Sequence, residues 1–272
     1  MPKPNQLFNA YIFDLDGTVY LGDKLLPTAG ETIARLRELG KRTVFLSNNP
    51  TRSRADYAHK LTRLGVETAV SDVINSSWVM AQFLQQKIPH ARLFVVGEPS
   101  LCRELTAAGF ILTENAHEVD AVIASFDRTF TYHKLQIAFD AIRNGARFFA
   151  TNGDRYCPVP GGGQPDAAAM IAAIEACTNT RVEAIVGKPS RYMADAILNL
   201  LQLPPEQCLM IGDRLETDVK MGLEAGMATA LTLTGATSEA TLASSVIQPM
   251  FVIRQLQELI PDESGTASDH SL

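Results

Sequence analysis

The sequence predicts an α/β protein with a parallel sheet flanked by helices. Short apolar β-type runs alternate with segments of helical periodicity along almost the whole chain. Several of those runs end abruptly in polar or acidic residues, and open α/β sheets bind ligands at such carboxyl ends. With 272 residues, 46% hydrophobic and 20% charged, the chain can fill one large core or two modest domains. Its net charge of −6 argues against a broad nucleic-acid surface. No apolar run reaches the roughly 18 residues of a membrane span, and the opening "MPKPNQLFNA" lacks a signal peptide's apolar stretch. Cys102, Cys157, Cys177 and Cys208 are scattered with no Cys-x-x-Cys pair, which points to reduced thiols in a cytoplasmic protein.

The elements follow in order. "AYIF" is a buried strand. "ETIARLREL" carries Ile33, Leu36 and Leu39 on one helical face and stops at Gly40. "TVFLS" is the next strand. "SRADYAHKLTRLG" is a helix capped by Ser53 with Gly65 beyond its end. "DVIN" is a short strand, and Ser76 is expected to cap the helix "SWVMAQFLQQ". The pattern then restarts with strand "RLFVVG", helix "PSLCRELTAAG", strand "AVIASF", helix "YHKLQIAFDAIRNG" and strand "RFFAT". "NGDRYCPVPGGGQP" reads as a loop before the helix "DAAAMIAAIEAC". Strands "EAIVG", "QCLMIGD" and "TALTL" alternate with helices "RYMADAILNLL" and "TDVKMGLEAG". The segment "PDESGTASDHSL" is polar and expected to be frayed.

Four strand ends carry the chemistry. "YIFDLD" ends in Asp14 and Asp16, and "TVFL" runs into Ser47, Asn48 and Asn49. "EAIV" precedes Gly187-Lys188, and "CLMI" precedes Gly212-Asp213, with Asp218 a turn later. All four are expected on one edge of one sheet. Two carboxylates at the end of a buried strand repel one another and lose hydration, so a cation must offset the cost. Oxygen donors without nearby His or Cys favour Mg²⁺ over zinc. A lysine and a hydroxyl beside that metal suit a phosphate group. One carboxylate can attack phosphorus and the other can protonate the leaving oxygen.

Together these stretches resemble the haloacid dehalogenase (HAD) superfamily. Its Asp-x-Asp-x-Thr motif stands as Asp14-Leu15-Asp16-Gly17-Thr18, followed in family order by Ser47, Lys188 and Gly212-Asp213…Asp218. "DLDGTVYLGDKLLPTAGE", "FLSNNPTRS", "FFATNGD" and the Pro160–Gly163 loop are similar to the NagD/4-nitrophenylphosphatase branch, over about Tyr11 to Ile253. The resemblance implies a Rossmann-like core with a parallel sheet, a flap at "VYLGDKLLP", and an inserted α/β cap of the C2 type. About 140 residues separate Ser47 from Lys188, far more than a crossover between neighbouring strands needs. The cap is therefore expected at 80–183, the core at 1–79 and 184–272, and the tail at 262–272.

Implied roles follow. Asp14 is the nucleophile and a Mg²⁺ ligand. Asp16 is the acid and then the base, and its carbonyl binds the metal. Asp213 completes the metal ligands and Asp218 supports them. Ser47 and the amides around Asn48 and Asn49 hold phosphate oxygens, while Lys188 neutralises the phosphoryl charge and holds Asp14. The implied activity is a Mg²⁺-dependent phosphatase acting on a small phosphorylated metabolite of sugar-phosphate, phosphoglycolate, pyridoxal-phosphate or nucleotide type. Branch members often associate through the cap, so the resemblance admits a homodimer through the cap, though the sequence shows no decisive apolar stripe for it and leaves the assembly open. A phosphotransferase or phosphomutase is an alternative, because mutases also keep Asp16. A non-hydrolytic phosphoaspartate regulator is another, though the Asp14/Asp16 pair and the long insertion count against it.

Asn152, Asp154 and Arg155 are candidates for the substrate's non-phosphate part, with a solvated-loop role weighed equally for Asn152 and Asp154. Arg128 reads rather as an ion-pair residue. Gly161 to Gly163 read as a turn, His133 as a helix-surface residue, and Trp78 as packing.

Overall fold

The computed structural model describes residues 2–159 and 161–261. The tail expected at 262–272 lies outside the described residues, as does Pro160. The chain divides into two compact units. Met1–Phe45, Leu61–Glu67 and Leu198–Leu272 form the first, and Leu46–Lys60 and Thr68–Ile197 form the second.

In chain order the strands are β1 (Ala10–Asp14), β2 (Tyr20–Leu21), β3 (Lys24–Leu25), β4 (Arg42–Ser47) and β5 (Val73–Asn75). They continue as β6 (Arg92–Val96), β7 (Ile111–Leu112), β8 (Ala121–Ala124), β9 (Arg147–Ala150) and β10 (Tyr156–Val159). The remainder are β11 (Gly162–Pro165), β12 (Ala184–Ile185), β13 (Cys208–Gly212), β14 (Ala228–Thr232) and β15 (Phe251–Ile253). One sheet has the order β15-β14-β13-β1-β4-β5 and a smaller one β12-β9-β8-β6-β7. The α/β fold class is as predicted.

In the first unit, β1, β13 and β14 are buried along their whole length. That is why they read as unbroken apolar runs rather than alternating ones. The β1–β13 pairing is parallel and sets Phe13 opposite Ile211, so Asp14 and Gly212 leave the sheet side by side. Helix Ala29–Glu38 buries Ala29, Ile33 and Leu36, one apolar stripe at helical spacing. β2 and β3 form an antiparallel hairpin in the segment expected to be the flap. β15 and the helix Glu239–Ser244 carry no strong sequence pattern and were not foreseen.

In the second unit, β12, β9, β8, β6 and β7 pair in parallel. Phe94, Val122 and Phe148 meet Ala138 and Ile174 of the covering helices in one core. Ser53 and Asp56 cap helix Arg54–Arg63 reciprocally, Ser53 Oγ accepting from the Asp56 N–H and Asp56 Oδ2 from the Ser53 N–H.

Four expectations are corrected. Asn75, not Ser76, caps helix Ser76–Lys87, its side chain accepting from the Trp78 N–H at 2.9 Å. Ser76 instead donates to the Asn48 carbonyl. The expected loop before the Ala-rich helix holds an antiparallel hairpin, β10 with β11. Its strands are rich in Gly and Pro, so backbone pairing around Gly161 at φ 84° builds it without a β-type side-chain pattern. The predicted helix over 217–226 opens as a π-helical turn, Leu215–Val219, before the α-helical Lys220–Glu224. Finally, the strands ending at Asp14, Ser47 and Gly212 belong to the larger sheet, but β12, which leads to Lys188, pairs with β9 in the smaller one. A two-residue strand followed by polar residues looks the same in either sheet.

Candidate active site

Three carboxylates converge in the first unit. Asp14, Asp213 and Asp218 each offer an oxygen within 4.8 Å of the others, and all three residues are buried. Asp14 ends β1, and Asp213 follows the adjacent β13. Asp218 arrives by the π-turn, where the Val219 N–H reaches the Arg214 carbonyl at 3.2 Å. This wide turn, a geometry concentrated at functional sites, swings Asp218 back under Gly212. A β-carbon on Gly212 would overlap the Asp218 carboxylate, and one on Gly235 would overlap that of Asp213. Gly17, at φ 87°, leaves a gap in which a β-carbon would lie 2.6 Å from Asp213 Oδ2. Glycines thus stand at three points where a β-carbon would strike a carboxylate of the cluster, a signal present in the sequence but not read there.

Backbone amides satisfy part of the charge. Ala236 N–H donates to Asp213 Oδ2 at 2.6 Å and Arg214 N–H to Asp218 Oδ2 at 3.2 Å. Three buried like charges remain mutually repulsive, and an all-oxygen donor set with no nitrogen or sulfur fits a hard divalent cation. Asp16 stands apart. It is exposed, and Tyr20 OH donates to its Oδ2 at 3.4 Å.

The second unit gathers the other predicted residues. Ser47 is buried, its hydroxyl donating to Tyr57 OH at 3.1 Å and accepting from the Asn49 N–H at 3.2 Å. Asn49 Oδ1 accepts from Thr51 N–H and Thr51 Oγ1, which tightens the turn after β4. Asn48 joins Lys188 and Asp154. Asn152 is fully buried and donates to both Asp154 and Asp166. Its amide is occupied inside the protein, so Asn152 is not the solvated loop residue that one reading of the sequence predicts. Arg128 makes a bidentate ion pair with Glu98 at 2.6 and 2.7 Å. That guanidinium holds the Glu98 carboxyl below its usual range. Trp78 stacks with the Arg54 guanidinium 5.1 Å from its ring.

The first unit thus delivers three buried acids to one point from adjacent parallel strands, and the second unit carries a Ser-Asn-Asn turn and a Gly-Lys-Pro turn, within an α/β fold. The haloacid dehalogenase-like hydrolase family model matches residues 11–111, and a HAD-hydrolase-like model matches 185–259. Sugar-phosphatase AraL of Bacillus subtilis is 42% identical over 228 residues, 84% of each chain. The crystal structure of 4-nitrophenylphosphatase from Thermotoga maritima is 38% identical with a TM-score of 0.89, covering 93% of this chain and 96% of that one. NagD from E. coli K-12 is 30% identical with a TM-score of 0.86, covering 94% and 100%. The chain belongs to the haloacid dehalogenase-like hydrolases, in the branch of NagD and 4-nitrophenylphosphatase. Its class is that of the hydrolases acting on phosphoric monoester bonds. Among the described residues no helix is long and apolar enough to cross a membrane.

Proposed function

We propose that this chain is a Mg²⁺-dependent phosphatase of small phosphomonoesters that works through an aspartyl-phosphate on Asp14. The observation that carries the reading is the buried trio Asp14, Asp213 and Asp218, whose mutual repulsion calls for a divalent cation. Bound there, Mg²⁺ would supply positive charge to the phosphoryl oxygens and keep Asp14 ionised. Ser47 and the backbone amides around Asn48 and Asn49 hold phosphate oxygens, and Lys188 neutralises their charge. An Asp14 carboxylate oxygen attacks phosphorus while the ester P–O bond breaks, and Asp16 gives its proton to the leaving alkoxide. Asp16, now ionised, takes a proton from water as that water attacks phosphorus. The P–O bond to Asp14 breaks, inorganic phosphate leaves, and both carboxyl groups return to their starting states. Asp16's exposure and its Tyr20 contact support the acid-base role.

The smaller sheet supports an inserted cap over about 80–183, with β12 extending it to Ile185. Such a cap shapes the leaving-group pocket and excludes water. Sugar phosphates lead the candidate substrates, since AraL is named for that activity. Phosphoglycolate, pyridoxal phosphate and nucleotides belong in the same test. Homodimerisation through the cap is retained as part of the proposal. A cytoplasmic location is too, since the four cysteines are free thiols.

The test is phosphate release from a panel of phosphomonoesters, with Mg²⁺ and with a chelator, beside Asp14→Asn. Metal-dependent release that Asp14→Asn abolishes is expected. Full activity in Asp14→Asn, or in chelator, would overturn the reading.

A further inference from the structure

The Asn48 carboxamide is fully committed inside the second unit. Its Oδ1 accepts from the Lys188 backbone N–H at 2.7 Å. Its Nδ2 donates to the Lys188 carbonyl at 3.1 Å and to Asp154 Oδ2 at 2.9 Å. A carboxamide has two N–H donors, and both are used, so none is left for a phosphate oxygen. The pairing with Lys188 is cyclic and engages both backbone groups of one residue. Two such bonds fix the height and the tilt of the backbone that carries the Lys188 side chain.

Neighbouring residues make this arrangement specific. A β-carbon on Gly187 would lie 2.7 Å from Asn48 Oδ1 and 2.6 Å from the Thr151 carbonyl, so only glycine admits the close approach. Asp154 decides which way round the carboxamide sits. An ionised carboxylate only accepts, so it faces Nδ2 and leaves Oδ1 for the Lys188 N–H. Asp154 Oδ2 is steadied in turn by Asn152 Nδ2 at 2.9 Å. Asn152 also reaches Asp166 at 3.0 Å, where the chain leaves the base of the β10–β11 hairpin.

We infer that Asn48 is a positioning residue for Lys188, and that Asp154 sets its orientation from the base of the hairpin. This rests on the reading of Lys188 as the lysine that neutralises the phosphoryl group. It assigns the Asn48 side chain to Lys188 rather than to the phosphate.

The experiment pairs Asn48→Asp, Asp154→Asn and the double variant, with kcat, KM and inhibition by inorganic phosphate measured for each. In Asn48→Asp two carboxylates face one another and the Lys188 carbonyl loses its donor. kcat falls about 100-fold, and KM and phosphate inhibition change by no more than about threefold. The double variant restores one bond with donor and acceptor exchanged and recovers about tenfold in kcat. No recovery, or a loss confined to KM and phosphate inhibition, overturns the inference. A readout independent of turnover accompanies it, with Asn48→Ser as the milder variant should Asn48→Asp fail to fold. Amide exchange at Lys188, followed by NMR in protein labelled with ¹⁵N-lysine, is slow in wild type and at least about tenfold faster in Asn48→Ser. Unchanged exchange overturns the positioning contact. Full activity in Lys188→Ala would overturn the functional reading alone and leave the exchange result standing.

Discussion

Gly212 and Asp218 compete for one volume: a β-carbon on Gly212 would overlap the Asp218 carboxylate. The acid is delivered there by the π-turn Leu215–Val219, and nothing larger than hydrogen fits on the strand beneath it. Gly212→Ala must therefore push Asp218 out of the cluster. The expected result is a loss of about 1–3 kcal/mol in urea unfolding, from overpacking, together with at least about a tenfold rise in the Mg²⁺ concentration for half-maximal activity. Wild-type metal dependence in this variant would mean that Asp218 plays no part in holding the cation.

The metal reading makes a prediction whose sign reverses with metal. Without Mg²⁺, the buried Asp14, Asp213 and Asp218 repel one another. Asp213→Asn removes one charge, so the metal-free variant should melt at or above the temperature of metal-free wild type. With Mg²⁺ at about 100 times its dissociation constant, wild type should gain about 2.7 kcal/mol and the variant much less. Thermal melts in chelator and in Mg²⁺ read both arms. Equal Mg²⁺ stabilisation of the two proteins would count against the cluster as the metal site.

Asp127 and Lys134 of the second unit form an ion pair around a buried carboxylate. The Asp127 side chain is 0% exposed, and Lys134 Nζ lies 2.6 Å from its Oδ2. Asp127 Oδ1 also accepts from the Thr129 N–H and hydroxyl. Lys134→Met leaves a buried carboxylate without its cation and should cost about 3 kcal/mol. Adding Asp127→Asn should recover most of that loss, because the orphaned charge is gone. Additive losses in urea melts of the single and double variants would refute the coupling.

Cys208 gives the protein an alkaline weakness. Burial in β13, with Glu206 adding to it, pushes the thiol from 9.0 up to about 11. The folded state thus holds this proton more tightly than the unfolded chain does. The stabilisation is fully present below about pH 9 and is lost as pH rises toward 11, roughly 2–3 kcal/mol across two pH units. In Cys208→Ala the fall in stability between pH 8.5 and pH 11 should be smaller by about that amount. Parallel pH dependences in urea melts would show that the thiol contributes nothing.

Much of the site was legible because it is written locally. A buried parallel strand demands an apolar run, and a polar residue at its end has few purposes besides a ligand. Asp14, Ser47 and Asp213 were singled out as candidates that way, and β1, β4 and β13 do lie in one sheet. The hairpin β10–β11 was not legible, because backbone pairing rather than side-chain alternation builds it. Nor was the Asn75 cap, since Asn75, Ser76 and Ser77 are all competent caps and the strand–helix junction selects among them.

By itself the sequence determined the α/β class and most of the order of strands and helices, and it offered the candidate groups at the strand ends. Each of these depends on residue chemistry and short-range spacing. Only the tertiary structure decided partners. It set Asp218 beside Asp14, left Asp16 exposed, sent β12 to the smaller sheet, and gave Asn48 to Lys188 across 140 residues of chain. Contacts over such separations are set by strand register and close packing, and neither leaves a trace in any short stretch of residues.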